Sequence, residues 1–591
     1  MSKHAFSAFI LLGSLLSSLP AVASVADDEF LTLGREYVDE FPAFAPVSAT
    51  RLGDHRFDAK LDEVTPQATR RRIDFLRDMR DKLGDVKREQ LSAANKVDAE
   101  LLANELDYTL WQLETLREWT WNPIFYTDLA GGAIYGLLAR DFAPLPERLT
   151  DAAARLEQMP RLLEQAREAL EPARVPKIHA ETAVKQNPGV LSIIDAMIVP
   201  EMGALDAAGR KRLEAAIEVA REAVNVHQAW LEEELVPNAK GDFRAGAELF
   251  DAKLAFTLQS PLSRAEIRNR AEREYQSVRE EMYAVAREVY AEEYPQTIFP
   301  ASPDETYRQA IVRAALEVAY AKRPAPDEIV ETAKKDLAQT TAFVREHDLV
   351  TVPDTPVEII IMPEFQRGVA VAYCDSPGPL DAGEKTFYAV APLPDDWTVE
   401  QVQSFLREYN LLSIQDLTMH EAMPGHYLQL AHSNQYPSTL RAVLSSGPFI
   451  EGWAVYAERM MIDAGYLNND PLMRLINLKW YLRSITNAII DQAIHVDGMQ
   501  RDEAVQLMIE GGFQEEREAA GKWVRAQLTF AQLSSYFVGY QEHADLRREV
   551  ERAWGEHFEL KRYHDEVLSY GSPPVQFVRA LMLDEPVPPV Q

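Results

Sequence analysis

"HEAMPGHYLQLAH", residues 420–432, opens as half of a metal-binding helix signature. In H-E-x-x-H the two histidines stand about 400° apart around a helix and therefore share one face. Here the fourth position after His420 is Pro424, and the next histidine is His426, six residues on. Six residues make about 600° of ideal helix, which sends the two rings to different faces. Pro424, however, lacks the N–H that would bond back to the His420 carbonyl, and Gly425 admits dihedrals closed to other residues. A break or bulge is expected here. A bulge would swing His426 back toward His420, whereas a plain helix end would leave two unrelated histidines.

The chemistry says what else to look for. A catalytic zinc takes about three protein ligands and keeps one position open for water. A free carboxylate beside it accepts the water proton, and Glu421 is placed for that task. A further ligand is offered 25 residues after His426, in "GPFIEGWAVYAERMM". Glu451 sits near the start of a predicted helix, with Glu458 on the same face seven residues later. The alternative is a surface glutamate favoured by the helix dipole. A third segment, "LINLKWYLRSITNAIIDQAIHVDG", is nearly all apolar and reads as a buried helix. Its polar exceptions Arg483, Asn487, Asp491 and His495 recur at steps of four and form one stripe. Such a stripe is costly to bury unless each group is paired. It reads either as a structural ion-pair network or as support around a metal, with His495 as a transition-state donor.

Composition narrows the classes. The chain has 591 residues, 47% of them hydrophobic and 26% charged, and a formal net charge of −32. A soluble globular protein is expected. Nucleic-acid binding through a basic face is excluded, and an anionic membrane surface would repel the protein. Lys3 and His4 precede the apolar run "AFSAFILLGSLLSSLP", and "AVA" at 21–23 and "SVA" at 24–26 are small-residue cleavage sites. Residues 1–26 therefore read as a signal peptide, giving a periplasmic or secreted protein with no membrane anchor after its removal. Cys374 is the single cysteine, so no intramolecular disulfide forms and no cysteine stands ready for lipidation near the cleavage sites.

Residues 27–350 are dominated by helical periodicity, with Ser263 and Asp304 as N-caps. This region is expected to wall a deep cleft. Residues 351–591 form the expected catalytic region, in which the texture first changes. "TPVEIIIMP", "GVAVAYCD" and "KTFYAVAPLP" read as strands, the last two joined by "SPGPLDAGE". The expected fold is mostly α with a small β-sheet next to the active site, and "TFYAVAP" is expected to be the edge strand lining the cleft.

Together "MHEAMPGHYLQ", "EGWAVYAE" and "IIDQAIHVDGMQRDEAVQLM" resemble the bacterial domain-of-unknown-function 885 family, as do "QLSSYFVGYQEHADLRR" and "FELKRYHDEVLSYGSPPVQFVRALM". That family is grouped with zincin-like metallopeptidases of the gluzincin type. The resemblance implies a zincin-like helical architecture and one zinc ion per chain, held by His420, His426 and Glu451, with Glu421 as general base. Asp491 and His495 match the family's D-x-G-x-H, with Ala493 in place of glycine. The resemblance also makes Tyr536 a candidate oxyanion donor; its alternative is a core aromatic on an amphipathic helix. Glu458, Asp491 and Arg483 are candidates for supporting the ligands. The implied activity is hydrolysis of short peptides, in carboxypeptidase or oligopeptidase fashion. Apart from the resemblance, a basic pocket near Arg483 or Arg525 is a candidate for holding a substrate carboxylate, with neither residue placed by the sequence. Two other readings stand beside it: a zinc hydrolase of a non-peptide amide or ester, and a non-catalytic periplasmic peptide-binding protein.

Overall fold

The structure, a computed structural model, describes residues 25–354, 357–362, 372–381, 383–393 and 397–589. The leader read at 1–26 falls almost wholly outside them. The first helix, Val25–Glu40, begins inside that reading and already buries Ala26.

Helices dominate, as their sequence periodicity requires. Ser263 Oγ accepts from the Glu266 N–H at 3.3 Å and starts the 30-residue helix Arg264–Glu293. Asp304 Oδ1 accepts from the Tyr307 N–H at 2.8 Å and starts Glu305–Tyr320. Each cap satisfies a donor that the first helical turn leaves open. Helix Pro471–Gln492 runs through the centre and is buried along nearly its whole length.

The change of texture at 350 is not a packing boundary. The largest hydrophobic core joins Phe250, Met282 and Leu316 to Leu412, Trp453 and Leu482. Full burial of each such side chain contributes about 1.5–3 kcal/mol, so this core couples the late N-terminal helices firmly to the C-terminal ones. Earlier helices build separate cores, one around Leu149, Leu156 and Leu213 and another around Phe30, Leu76 and Leu102. Buried Arg441 ties the latter to the C-terminal half. Its Nε lies 2.5 Å from Asp98 Oδ1, and it donates to the carbonyls of Ala94 and Tyr570.

Three strands form one sheet in the order β1-β3-β2, with β1 Val357–Ile361, β2 Ala372–Asp375 and β3 Thr386–Val390. β1 runs parallel to β3, and β2 runs antiparallel to it with Cys374 opposite Tyr388. The expected role of "TFYAVAP" is corrected here. Its strand is central and pairs on both sides, so β1 and β2 are the outer strands among the described residues. Alternating apolar residues mark a strand without fixing its place in the sheet.

The N-terminal helices hold β2 and the turn after it. Asp375 accepts from Arg140 Nη2 at 2.7 Å and from Tyr135 Oη at 3.0 Å. His55 lies between two carboxylates, with Nδ1 2.8 Å from Asp58 and Nε2 2.9 Å from Asp381, and its ring stacks on Phe142 at 3.6 Å. Burial alone would lower the His55 pKa, but the hydrogen bonds to Asp381 and Asp58 outweigh it and push it up to about 9. An unfolded imidazole titrates near 6.5. A group whose pKa is raised by folding stabilises fully below the unfolded value, and the effect is lost as pH rises through the folded value. The unfolding free energy of the wild type relative to His55→Gln should therefore fall between about pH 6.5 and 9. Denaturant titration of both proteins across that range checks this, and a flat difference contradicts it.

Candidate metal centre

Helix Leu411–Glu421 begins at Asn410, whose Oδ1 accepts from the N–H groups of Leu412 and Ser413. It stops at Glu421, and a second helix, His426–Ser433, starts at once in a new direction. The expected bulge is thus a full break. Ala422 leaves helical dihedrals at φ −126°, ψ −76°, the Met423–Pro424 peptide is cis, and Gly425 sits at φ −77°, ψ −129°. A Cβ on Gly425 would fall 1.9 Å from the His420 carbonyl oxygen, so only glycine permits this approach. Trp453 Nε1 donates to the Pro424 carbonyl at 3.0 Å and pins the turn to the following helix. As a result the His420 and His426 rings meet, with centroids 4.7 Å apart and planes at 86°.

That following helix is Gly447–Asp463, capped by Ser446. Glu451 Oε2 lies 3.6 Å from His420 Nε2 and 3.5 Å from His426 Nε2. These three donor atoms all fall within 4.8 Å of one another. Tetrahedral zinc with bonds of about 2.0–2.2 Å separates its ligand atoms by about 3.3–3.6 Å, so the residues present fit the ion. Glu451 Oε2 has no hydrogen-bond partner among the described residues, as a ligand atom requires. Burial works to raise the Glu451 pKa, but the two histidines beside it hold the carboxyl well below its usual range.

Glu458, two turns after Glu451, takes the other side of His420. Its Oε1 is 2.5 Å from His420 Nδ1. A carboxylate there fixes the proton on Nδ1 and leaves Nε2 free to ligate. Asp416, one turn before His420, completes the arrangement. It is fully buried, accepts from Asn477 Nδ2 at 3.1 Å and lies close to the Glu458 charge. Burial and the neighbouring Glu458 charge push the Asp416 pKa up. Sequence reading missed Asp416, although its four-residue spacing from His420 was the available signal.

Glu421 accepts the Cys374 N–H of the outer strand β2 at 3.0 Å. Burial raises its pKa, while His420 and His426 pull it down. Cys374 is half-buried beside it, and burial followed by the Glu421 charge pushes its thiol pKa up, which keeps the thiol protonated. A cavity of about 490 Å³ is lined by Glu451, Gln532 and Ser535 and, across from the C-terminal helices, by aromatics including Tyr37, Phe75 and Phe256.

Tyr536 stands in the first turn of helix Ser534–Trp554 and receives a hydrogen bond from Arg525 Nη2 at 3.0 Å. Burial, then the Glu451 charge, raises its pKa, so the phenol stays protonated and feels the centre. The polar stripe separates residue by residue. His495 is corrected: its Nε2 faces the carbonyls of Ala526 and Thr529, and its Nδ1 accepts from the Ala245 N–H, so no nitrogen remains for catalysis. Asp491 does not meet the histidines. It accepts from the backbone of Ala531 and Ser534 and so holds the turn that presents Tyr536. Arg483 is corrected too, since it pairs with Glu518 away from the ligands.

A family model described as bacterial protein of unknown function (DUF885) matches residues 46–582. The chain belongs to that family. A solved structure from Shewanella oneidensis, provisionally described as a lipoprotein of unknown function, is similar to this DUF885 chain at 32% identity and a TM-score of 0.79. The match covers 94% of this chain and 99% of that one. A second, from Colwellia psychrerythraea and also provisionally described as a lipoprotein, shares the fold at 17% identity and a TM-score of 0.74, over 95% and 99% of the two chains. No functionally curated protein matches the DUF885 chain. None of its described helices is long and apolar enough to cross a membrane.

Two substitutions in this DUF885 chain probe the geometry without touching a ligand. Gly425→Ala should separate the two histidines and weaken zinc binding at least 100-fold, with unchanged helical circular dichroism. Glu458→Gln should weaken it about 10–100-fold, the usual cost of losing a carboxylate behind a ligating histidine. Competition titration with a chromophoric chelator measures both, and wild-type affinity in either variant contradicts the geometry.

Proposed function

We propose that the chain is an exported, zinc-dependent peptidase of the zincin-like, gluzincin type that cleaves short peptides. The observation that carries this reading is the convergence of His420 Nε2, His426 Nε2 and Glu451 Oε2, with a second, non-ligating carboxylate, Glu421, beside them. A binding protein needs no such base, whereas hydrolysis does.

When bound, zinc would supply Lewis-acid polarisation of the scissile carbonyl and of the attacking water. Glu421, oriented by the Cys374 N–H, accepts the water proton and returns it to the leaving amine. Tyr536 donates its phenolic proton in a hydrogen bond to the oxyanion that develops on the substrate. Glu458 keeps His420 in the ligating tautomer. The aromatic lining of the cavity suits apolar side chains. Export is supported by the leader-like residues 1–26 and by relatives provisionally described as lipoproteins.

Metal analysis by mass spectrometry should find about one zinc per chain in the wild type and in Glu421→Gln, and none in a folded Glu451→Ala variant. Glu421→Gln should lower peptide hydrolysis by about 10²–10⁴-fold. Hydrolysis that survives both Glu421→Gln and metal chelation would overturn the reading.

A further inference from the structure

Arginine side chains in this acidic protein mostly have carboxylate partners. Arg525, on helix Glu516–Leu528, does not. Its Nη2 donates to Gln532 Oε1 at 3.1 Å and to Tyr536 Oη at 3.0 Å, both neutral acceptors. Among the described residues no carboxylate lies within 4 Å of it, and its Nε and Nη1 have neither a protein partner nor complete burial. Lys253 is similar, with its ammonium 4.2 Å from the centre of the Phe530 ring and no ion pair among the described residues. Lys522, one turn before Arg525, is buried and also lacks one. A half-buried guanidinium held by neutral groups, with part of its donor edge open, is a site prepared for an anion.

The position gives that site a meaning. Both acceptors of Arg525 relate it to the centre. Gln532 lines the cavity together with Glu451, and the Tyr536 phenol feels the Glu451 charge. We propose that Arg525 anchors the free C-terminal carboxylate of a peptide, so that the site releases residues from the C-terminus. The planar guanidinium suits a carboxylate in two-point contact, which a lysine cannot reproduce. A carboxylate held there lies next to the phenol, so the peptide bond nearest to it is the one offered to Glu421. Water adds to that carbonyl, the C–N bond breaks, and the proton taken by Glu421 passes to the leaving amine. One amino acid or short fragment and a shortened peptide result. This inference rests on the peptidase reading for its chemistry, but its binding step stands apart from turnover.

The test is calorimetric binding of N-acetyl-Ala-Phe and of its C-terminal amide to the full chain carrying Glu421→Gln, with zinc supplied. The acid should bind at least 10-fold more tightly than the amide. Adding Arg525→Gln should abolish that preference and leave the affinity for the amide unchanged, while Arg525→Lys should keep part of it. Equal binding of acid and amide, a preference that survives Arg525→Gln, a parallel loss for both ligands, or no binding of either would overturn the anchor. An Arg525-dependent preference in a chain that hydrolyses no peptide would sink the peptidase reading and leave the anchor standing. Hydrolysis of amidated peptides as fast as free acids would do the reverse.

Discussion

The centre depends on one close approach, that of Gly425 to the carbonyl of His420. Any side chain at 425 would collide with that oxygen, at 1.9 Å for a Cβ. Because the backbone passes there, the helix carrying His420 ends and the next begins with His426 already turned inward. The same turn sends the Pro424 carbonyl to Trp453, two residues after Glu451. One steric condition therefore sets the two histidines against each other and also fixes the register of the helix that brings the carboxylate.

A second close approach joins this assembly to Tyr536. The Glu451 and Tyr536 helices cross at Gly452 and Gly539. A Cβ on Gly452 would lie 2.2 Å from the Gly539 carbonyl carbon, and one on Gly539 would lie 2.0 Å from the Pro448 oxygen. Behind them buried carboxylates support the site in sequence. Asp416 accepts from Asn477 beside Glu458, Glu458 faces His420 Nδ1, and Asp491 closes the turn leading into the Tyr536 helix. Burying these carboxylates is unfavourable in isolation, and their hydrogen bonds to Asn477, His420 and the Ser534 turn offset that cost while fixing orientation.

Much of this was legible in the sequence because periodicity reports faces. The helical texture, the caps at Ser263 and Asp304, the hairpin of β2 and β3, and the pairing of Glu451 with Glu458 across seven residues all follow from it. What a face meets is not encoded in the same way. Arg483, Asn487, Asp491 and His495 recur regularly, yet the helix widens to longer-range bonding over Ala493–Asp497, and these side chains face separate surroundings. "TFYAVAP" alternates as an edge strand would, but strand order is set by the long-range parallel pairing with β1. Proline and glycine at 424–425 announced a break, while its direction depended on a backbone contact no spacing rule contains.

The metal reading requires that three donors, on two adjoining helices and the next, enclose one ion. Anomalous diffraction at the zinc absorption edge, from crystals of the full chain grown with zinc, tests it most directly. The account predicts one strong peak at bonding distance from His420 Nε2, His426 Nε2 and Glu451 Oε2, about 2.0–2.2 Å from each. Well-ordered side chains with no peak among them, or a peak elsewhere, would contradict it.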